Sequence, residues 1–195
     1  MSLGPEYFDR FYATGDDPWG FASRWYEQRK YALTLAALPQ QRFGRALEVG
    51  CSVGVLTAGL AGRCDALTAM DPSRVALERA RARVPARVEL IHGSTPADWP
   101  AGPWDLIVLS EVLYYLSEQD LEIVLHLVER DLAPTGTVVA CHWRHPVADY
   151  PQTGDAVHQA LSRWPRLSRI HEEDFLLDVL TPSGAASVAR REGLL

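Results

Sequence analysis

A doubly wound α/β sheet is the fold class this sequence predicts, and three observations predict it. Residues 45–54 read as a buried strand, a tight glycine turn and the opening of a helix. An acid, Asp71, ends a second apolar strand twenty-one residues after Gly50. Strand-like and helix-like segments alternate from residue 45 to residue 164, the rhythm of parallel strands joined by helices.

The elements follow in order. After Gly4-Pro5, residues 6–13 place Tyr7, Phe8, Phe11 and Tyr12 along one side of a short helix. A loop over 14–20 leads to a longer helix from about residue 23 to 38, stopped before Pro39. These segments form an aromatic-rich helical lid over residues 1–40, ahead of a Rossmann-like core over 41–195 in the same single domain. Strands are expected near 45–50, 65–71, 87–92, 104–110 and 136–143. Residues 104–109 are almost wholly apolar, as a central parallel strand covered on both faces requires. Helices are expected near 53–62, 73–84, 119–131 and 154–164. In the third of these, Leu121, Val124, Leu125, Val128 and Leu132 make one apolar stripe, which Pro134-Thr135-Gly136 ends. Residues 167–180 read as two strands joined by a tight turn around Glu173, a hairpin that supplies an antiparallel edge strand.

Composition bounds the function. A chain of 195 residues with 47% apolar content can bury one full core. A net charge of −6 argues against phosphate-backbone binding. The basic cluster of Arg74, Arg79, Arg81, Arg83 and Arg87 is interrupted by Glu78 and reads as a solvated helix face. Cys51, Cys64 and Cys141 sit among apolar residues without C-x-x-C spacing, so reduced thiols in the cytoplasm are expected, with no disulfide or metal site. No apolar run approaches the ~20 residues of a membrane span and no signal-peptide pattern opens the chain, so neither a membrane nor a nucleic acid is an expected partner.

The glycine turn carries the chemistry. Gly50 can take angles that a Cβ resists and lets a ligand lie against the chain. The helix opening near Val53 offers free backbone N–H groups to an anionic ligand group, and Asp71 can accept from two ribose hydroxyls. A dinucleotide turn would need glycines at 52 and 55, where this chain has Ser52 and Val55. The E-x-G-x-x-x-G pattern of Glu48, Gly50 and Gly54 instead suits S-adenosyl-L-methionine, released as S-adenosyl-L-homocysteine, and predicts a methyltransferase.

Five further segments carry a resemblance: Asp17-Pro18-Trp19; Trp25-Tyr26-Glu27 with Arg29-Lys30-Tyr31; residues 46–51; residues 110–116; and His142-Trp143-Arg144 with Asp149-Tyr150-Pro151 and Gly154-Asp155. Over residues 7–180 the chain resembles the nodulation protein S family of class I methyltransferases that use S-adenosylmethionine. The resemblance implies a seven-stranded, mostly parallel sheet with an antiparallel C-terminal hairpin strand. Members N-methylate the free amine of a deacetylated chitin oligosaccharide, which implies a small-molecule amino-sugar acceptor and action alongside a sugar-amide deacetylase. Ser52 departs from the commonest turn of the class, where a second glycine is usual, yet still fits a tight turn.

The site residues divide into three groups. Glu48, Gly50, Cys51, Ser52, Gly54, Asp71 and Pro72 form the cofactor turn, with Cys51 as a small filler and Glu48 holding the turn or meeting the cofactor's cationic end. Ser94 and Thr95, after His92-Gly93, fall where adenine should lie, and Ser110 ends the fourth strand facing the methyl group. Trp19 and Arg29, with Tyr31 beside them, suit a clamp on the methionine part, since guanidinium pairs with carboxylate and an indole face attracts a sulfonium. Glu111 and His142 are the candidate catalytic groups, either able to take a proton from an attacking amine, though Glu111 also fits a helix-entry carboxylate and His142 a structural histidine. Tyr114, Tyr115, Trp143, Arg144 and Tyr150 are candidate acceptor contacts, at least one tyrosine being plain core. His126 and His171 read as structural. Two other readings stay open: a small-molecule O-, S- or N-methyltransferase with a non-sugar acceptor, and a non-catalytic cofactor-binding module.

Overall fold

The computed structural model describes every residue except 183 and 185. The lid consists of α1 (Pro5–Tyr12) and α2 (Trp25–Ala37). The core runs β1 (Phe43–Val49), α3 (Val55–Ala61), β2 (Cys64–Asp71), α4 (Arg74–Arg83), β3 (Glu89–His92), β4 (Trp104–Ser110), α5 (Glu118–Asp131) and β5 (Leu132–Trp143). It ends with α6 (Gly154–Ala160), β6 (Arg166–His171), β7 (Phe175–Leu180) and a short α7 (Val188–Arg191). Ser73 and Ser117 start α4 and α5 by accepting from Ala76 N and Asp120 N.

Among the described residues the sheet has seven strands in the order β3-β2-β1-β4-β5-β7-β6. β1 to β5 are mutually parallel, and β7 pairs antiparallel with both β5 and β6. The expected hairpin is present, but its antiparallel strand lies inside the sheet and β6 forms the edge. All six residues of β7 are buried, whereas none of β6 is, so the more apolar strand takes the covered place.

Alternate residues of the central strands feed two cores. Leu47, Ile107, Leu109, Val138 and Ala140 face the α5 stripe of Leu121, Val124, Leu125 and Val128. Ala46, Leu106, Val108, Val139 and Cys141 face Leu56 and Leu60 of α3. Leu132 leaves the expected stripe and opens β5. The chain winds outward through β2 and β3, then crosses back to place β4 beside β1. That reversal opens a crevice at the carboxyl ends of β1 and β4, where a doubly wound sheet binds its ligand.

Candidate active site

A cavity of about 440 Å³ fills this crevice, roofed by α1, α2 and the loop between them. Its floor on one side is the turn after β1. Gly50 has φ +76°, and Ser52 shares the left-handed region at φ 50°. The turn at 50–54 delays α3 to Val55, with Gly54 as its left-handed N-cap, turned toward α4 and away from the cavity wall.

Asp71 ties the turn down. Its Oδ2 accepts from Ser52 N at 2.8 Å and its Oδ1 from Ser73 N at 2.9 Å. Burial nonetheless pushes its carboxyl up to about 6, against the pull of those two amides. A carboxylate has about four acceptor positions, so Asp71 keeps acceptor capacity toward the cavity it lines. Tyr12 of the lid reaches the same turn, its hydroxyl 2.6 Å from Ser52 Oγ.

Glu48, 2% exposed, lines the cavity, and its buried Oε2 lacks a hydrogen-bond partner among the described residues. Burial pushes its carboxyl up to about 8, only partly opposed by the Thr57 hydroxyl. An unpartnered buried carboxyl oxygen is costly unless a ligand donates to it. Ser94 and Thr95 line the far side; Thr95 Oγ1 is also buried without a partner, while Ser94 N is spent on Asp98 Oδ2 at 2.8 Å.

At the end of β4, Glu111 stands in left-handed backbone at φ 56°, a strain of roughly 1–3 kcal/mol for a residue with a Cβ. Its Oε1 accepts from Lys30 Nζ at 2.7 Å; its Oε2 accepts from Trp143 N at 3.0 Å and from the Tyr114 hydroxyl. Lys30, 2% exposed, also stands 3.0 Å from Glu27 Oε2, off hydrogen-bond alignment. Burial pushes the Lys30 ammonium down, but Glu111 and Glu27 together outweigh it and hold the group above the ordinary lysine value. Replacing Lys30 with Met leaves two carboxylates facing each other without a cation. We expect a loss of roughly 3–5 kcal/mol, read by urea unfolding, with Lys30→Arg losing less.

Aromatic rings complete the walls. Tyr114 stacks on Tyr150 at 4.9 Å between centroids, and the Tyr115 and Tyr150 hydroxyls are 3.3 Å apart. Trp143 lines the same end with Tyr26, and Trp19 stacks on Phe21 within the lid at 5.6 Å. Glu48, Gly50, Cys51, Ser52, Asp71, Pro72, Ser94, Thr95, Ser110 and Glu111 therefore meet at one cavity with Trp19, Tyr31, Tyr114, Tyr115, Trp143 and Tyr150. Burial holds the Cys51 thiol well above its ordinary value, so it fills space.

Besides Gly54, three expected site residues lie elsewhere. Arg29 is on the outside of α2, donating from both terminal nitrogens to Glu172 at 2.8 and 2.7 Å. Tyr26, Glu27, Lys30 and Tyr31 face the cavity at helical spacing, and residue 29 falls off that face. Arg144 pairs with Asp155 at 2.8 and 3.1 Å and donates to the Glu172 carbonyl at 2.7 Å, outside the cavity. His142 alternates with Cys141 and Trp143 along β5, so its ring points to the α6 side. It is fully buried, its Nε2 accepts from Leu113 N at 3.2 Å, and its Nδ1 is 3.2 Å from His158 Nε2. With both nitrogens engaged and burial holding it well below the ordinary histidine value, His142 cannot serve as a proton acceptor in the cavity. Lys30 and Glu27 are the site residues the sequence pattern left without a role.

Comparison with known proteins agrees with this geometry. The family model for nodulation protein S (NodS) matches residues 9–150. Nodulation protein S of Rhizobium tropici is 35% identical over 128 residues, 64% of this chain and 54% of that protein. That of Sinorhizobium fredii is 34% identical over 128 residues, 59% of its length. The match thus spans little more than half the length of these curated relatives. Among solved structures, N-methyltransferase NodS from Bradyrhizobium japonicum in complex with S-adenosyl-L-homocysteine superposes with a TM-score of 0.82 at 26% identity, over 92% of this chain and 98% of that one. A candidate methyltransferase from Pseudomonas syringae is 44% identical with a TM-score of 0.72, over 81% of this chain and 99% of that one. The sheet order and the cavity at its switch point are those of the class I methyltransferase fold. The chain belongs to the nodulation protein S family.

Proposed function

We propose that this chain is an S-adenosyl-L-methionine-dependent methyltransferase acting on the free amine of a deacetylated amino sugar or a related small molecule. The observation that carries the reading is the unpartnered Glu48 oxygen, buried in a cavity that also holds Asp71, the Gly50 turn and Glu111. The residues fit the cofactor. Glu48 would hold its cationic amino group, Asp71 its ribose hydroxyls, Thr95 a polar edge of adenine, and Trp19 an indole face for positive charge. When bound, S-adenosylmethionine supplies a methyl group made electrophilic by a sulfonium. The "N-methyltransferase" in the name of the Bradyrhizobium japonicum relative supports nitrogen as the acceptor atom.

The chain's own residues supply position and a proton acceptor. The aromatic faces of Tyr115, Trp143 and Tyr150 suit a sugar ring, and Glu111 suits the amine. Three donors already reach Glu111, which leaves one of about four acceptor positions for an ammonium or its proton. A sugar amine is less basic than a lysine amine near ~10.4, and the lid lowers its pKa further by excluding water. Such an amine is the product of a sugar-amide deacetylase, which places this reaction after that hydrolysis. The three buried free thiols support a cytoplasmic setting, and no described helix is long and apolar enough to cross a membrane.

Glu48 makes cofactor binding dependent on pH. Below about 8 the free protein holds this carboxyl protonated, whereas the cofactor's ammonium favours the carboxylate. Binding therefore releases a proton, and affinity for S-adenosylhomocysteine rises from pH 6 to 8 by up to tenfold per unit before levelling. The ligand-free fold has the opposite slope: its raised Glu48 pKa favours folding below the unfolded value and loses that contribution as pH climbs through 8. Calorimetric titration in two buffers of different ionisation heat reads the proton directly. Glu48→Gln should bind weakly with a flat profile, whereas a pH-independent wild type would reject the placement of the cationic end. For the acceptor, a free-amine chitin oligomer should raise the melting temperature of the S-adenosylhomocysteine complex where its N-acetylated twin does not.

A further inference from the structure

We propose that Asp178, His158 and His142 form a hydrogen-bonded relay that positions the strained turn 111–114, and with it Glu111 and Tyr114, at the cavity wall. These are positioning residues, and their effect on rate rests on the methyltransferase reading above.

The relay admits one arrangement of protons. A backbone amide only donates, so the Leu113 N–H fixes His142 Nε2 as an acceptor. Neutral His142 then carries its proton on Nδ1 and donates to His158 Nε2, 3.2 Å away. His158 must in turn carry its proton on Nδ1, where it donates to Asp178 Oδ2 at 2.7 Å. Asp178 is fully buried at the centre of β7, where Arg169 reaches both its oxygens at 2.7 and 2.5 Å and Arg166 approaches Oδ1 at 2.8 Å. The chain of bonds thus runs from an arginine-anchored carboxylate to the amide two residues beyond Glu111.

The turn needs such an anchor. Glu111 holds left-handed backbone without being glycine, and its own amide is tied to the Cys141 carbonyl at 2.8 Å. The Leu113 amide starts a single 3₁₀ turn, Leu113–Tyr115, in a fully buried position. Without His142 that donor is orphaned, and the turn loses one of its buried anchors. The approach of α6 is built for this contact. A Cβ on Gly154 would strike the Trp143 carbonyl and stand 3.2 Å from His142 Cβ, so glycine lets α6 bring His158 within reach.

Two measurements on the full chain test the relay. Imidazole ¹⁵N spectra of the unsubstituted chain should show both His142 and His158 as the Nδ1–H tautomer; an Nε2–H tautomer at either overturns the proposal. His142→Phe keeps a ring but removes the acceptor. It should expose the Leu113 amide to exchange and lower kcat for methyl transfer by 10- to 100-fold, with S-adenosylhomocysteine affinity within threefold. His142→Gln, whose carbonyl can accept from Leu113 N, should recover most of that loss and restore protection. Equal losses of kcat, affinity and stability in both variants would mean ordinary core packing and would overturn the positioning role. Should the unsubstituted chain transfer no methyl group, the function fails, while the tautomers and Leu113 exchange still decide the relay.

Discussion

Glu111→Gln should lower methyl transfer to an amine by about 10²–10³-fold while changing S-adenosylhomocysteine affinity by no more than about threefold. Three donors converge on the two oxygens of Glu111: the Lys30 ammonium, the Trp143 amide and the Tyr114 hydroxyl. An amide presents one oxygen and one NH₂. If its oxygen meets Lys30, its NH₂ faces the Trp143 N–H; if it turns around, its NH₂ faces a buried ammonium. Either way a donor is left opposing a donor, and we expect a stability loss of about 1–3 kcal/mol beside the kinetic one. The split between rate and affinity separates the two roles of the residue. In the proposed function Glu111 serves the acceptor, whereas Glu48 and Asp71 hold the cofactor. A variant that lost affinity as steeply as rate would place Glu111 in the cofactor site instead.

Asp71→Ala should weaken S-adenosylhomocysteine binding by at least about 100-fold. Hydrogen bonds to a charged group contribute roughly 1.5–3 kcal/mol each, and two ribose hydroxyls would share this carboxylate. The substitution also orphans the Ser52 and Ser73 amides, which now bond it at 2.8 and 2.9 Å. The turn at Ser52, in left-handed backbone, would relax and draw Tyr12 with it. Asp71→Asn retains one acceptor and should lose less. Calorimetry on both variants, with melting curves in the absence of ligand, distinguishes lost contacts from a collapsed turn. Unchanged affinity in the alanine variant would remove Asp71 from the cofactor site.

The parts of this architecture legible in the sequence are those written locally. The strand–glycine–helix turn, the acid after Met70 and the apolar run 104–109 each need only neighbouring residues to be read. The structure places Asp71 and Gly50 together because β1 and β2 are paired parallel and end side by side, Val49 opposite Met70. Arg29 and His142 are both misplaced by phase. Arg29 and Lys30 are adjacent in α2, and which of them faces inward depends on how the helix is rotated against a sheet formed elsewhere in the chain. The arginine has the better chemistry for a carboxylate, but the face of Tyr26, Glu27, Lys30 and Tyr31 is the one that packs over the cavity. His142 failed for a related reason. Residues 137–142 are buried on both faces of β5, so no polar alternation marks which side points at the cavity. The partners of His142, in α6 and β7, are set by long-range pairing that no local pattern encodes. The inner place of β7 is different, since its apolar run set against the polar residues of β6 is itself a local signal.

Methyl transfer from labelled S-adenosylmethionine to a matched pair of chitin oligomers, one with a free terminal amine and one N-acetylated, tests the central claim most directly. The account predicts label on the amine nitrogen of the first oligomer, none on the second, and loss of that label in Glu111→Gln. Label on both oligomers, or on a hydroxyl of either, would contradict an amine acceptor. No label on either, from a protein that binds S-adenosylhomocysteine as described, would leave the fold and the cofactor site standing and remove the amino sugar from the account.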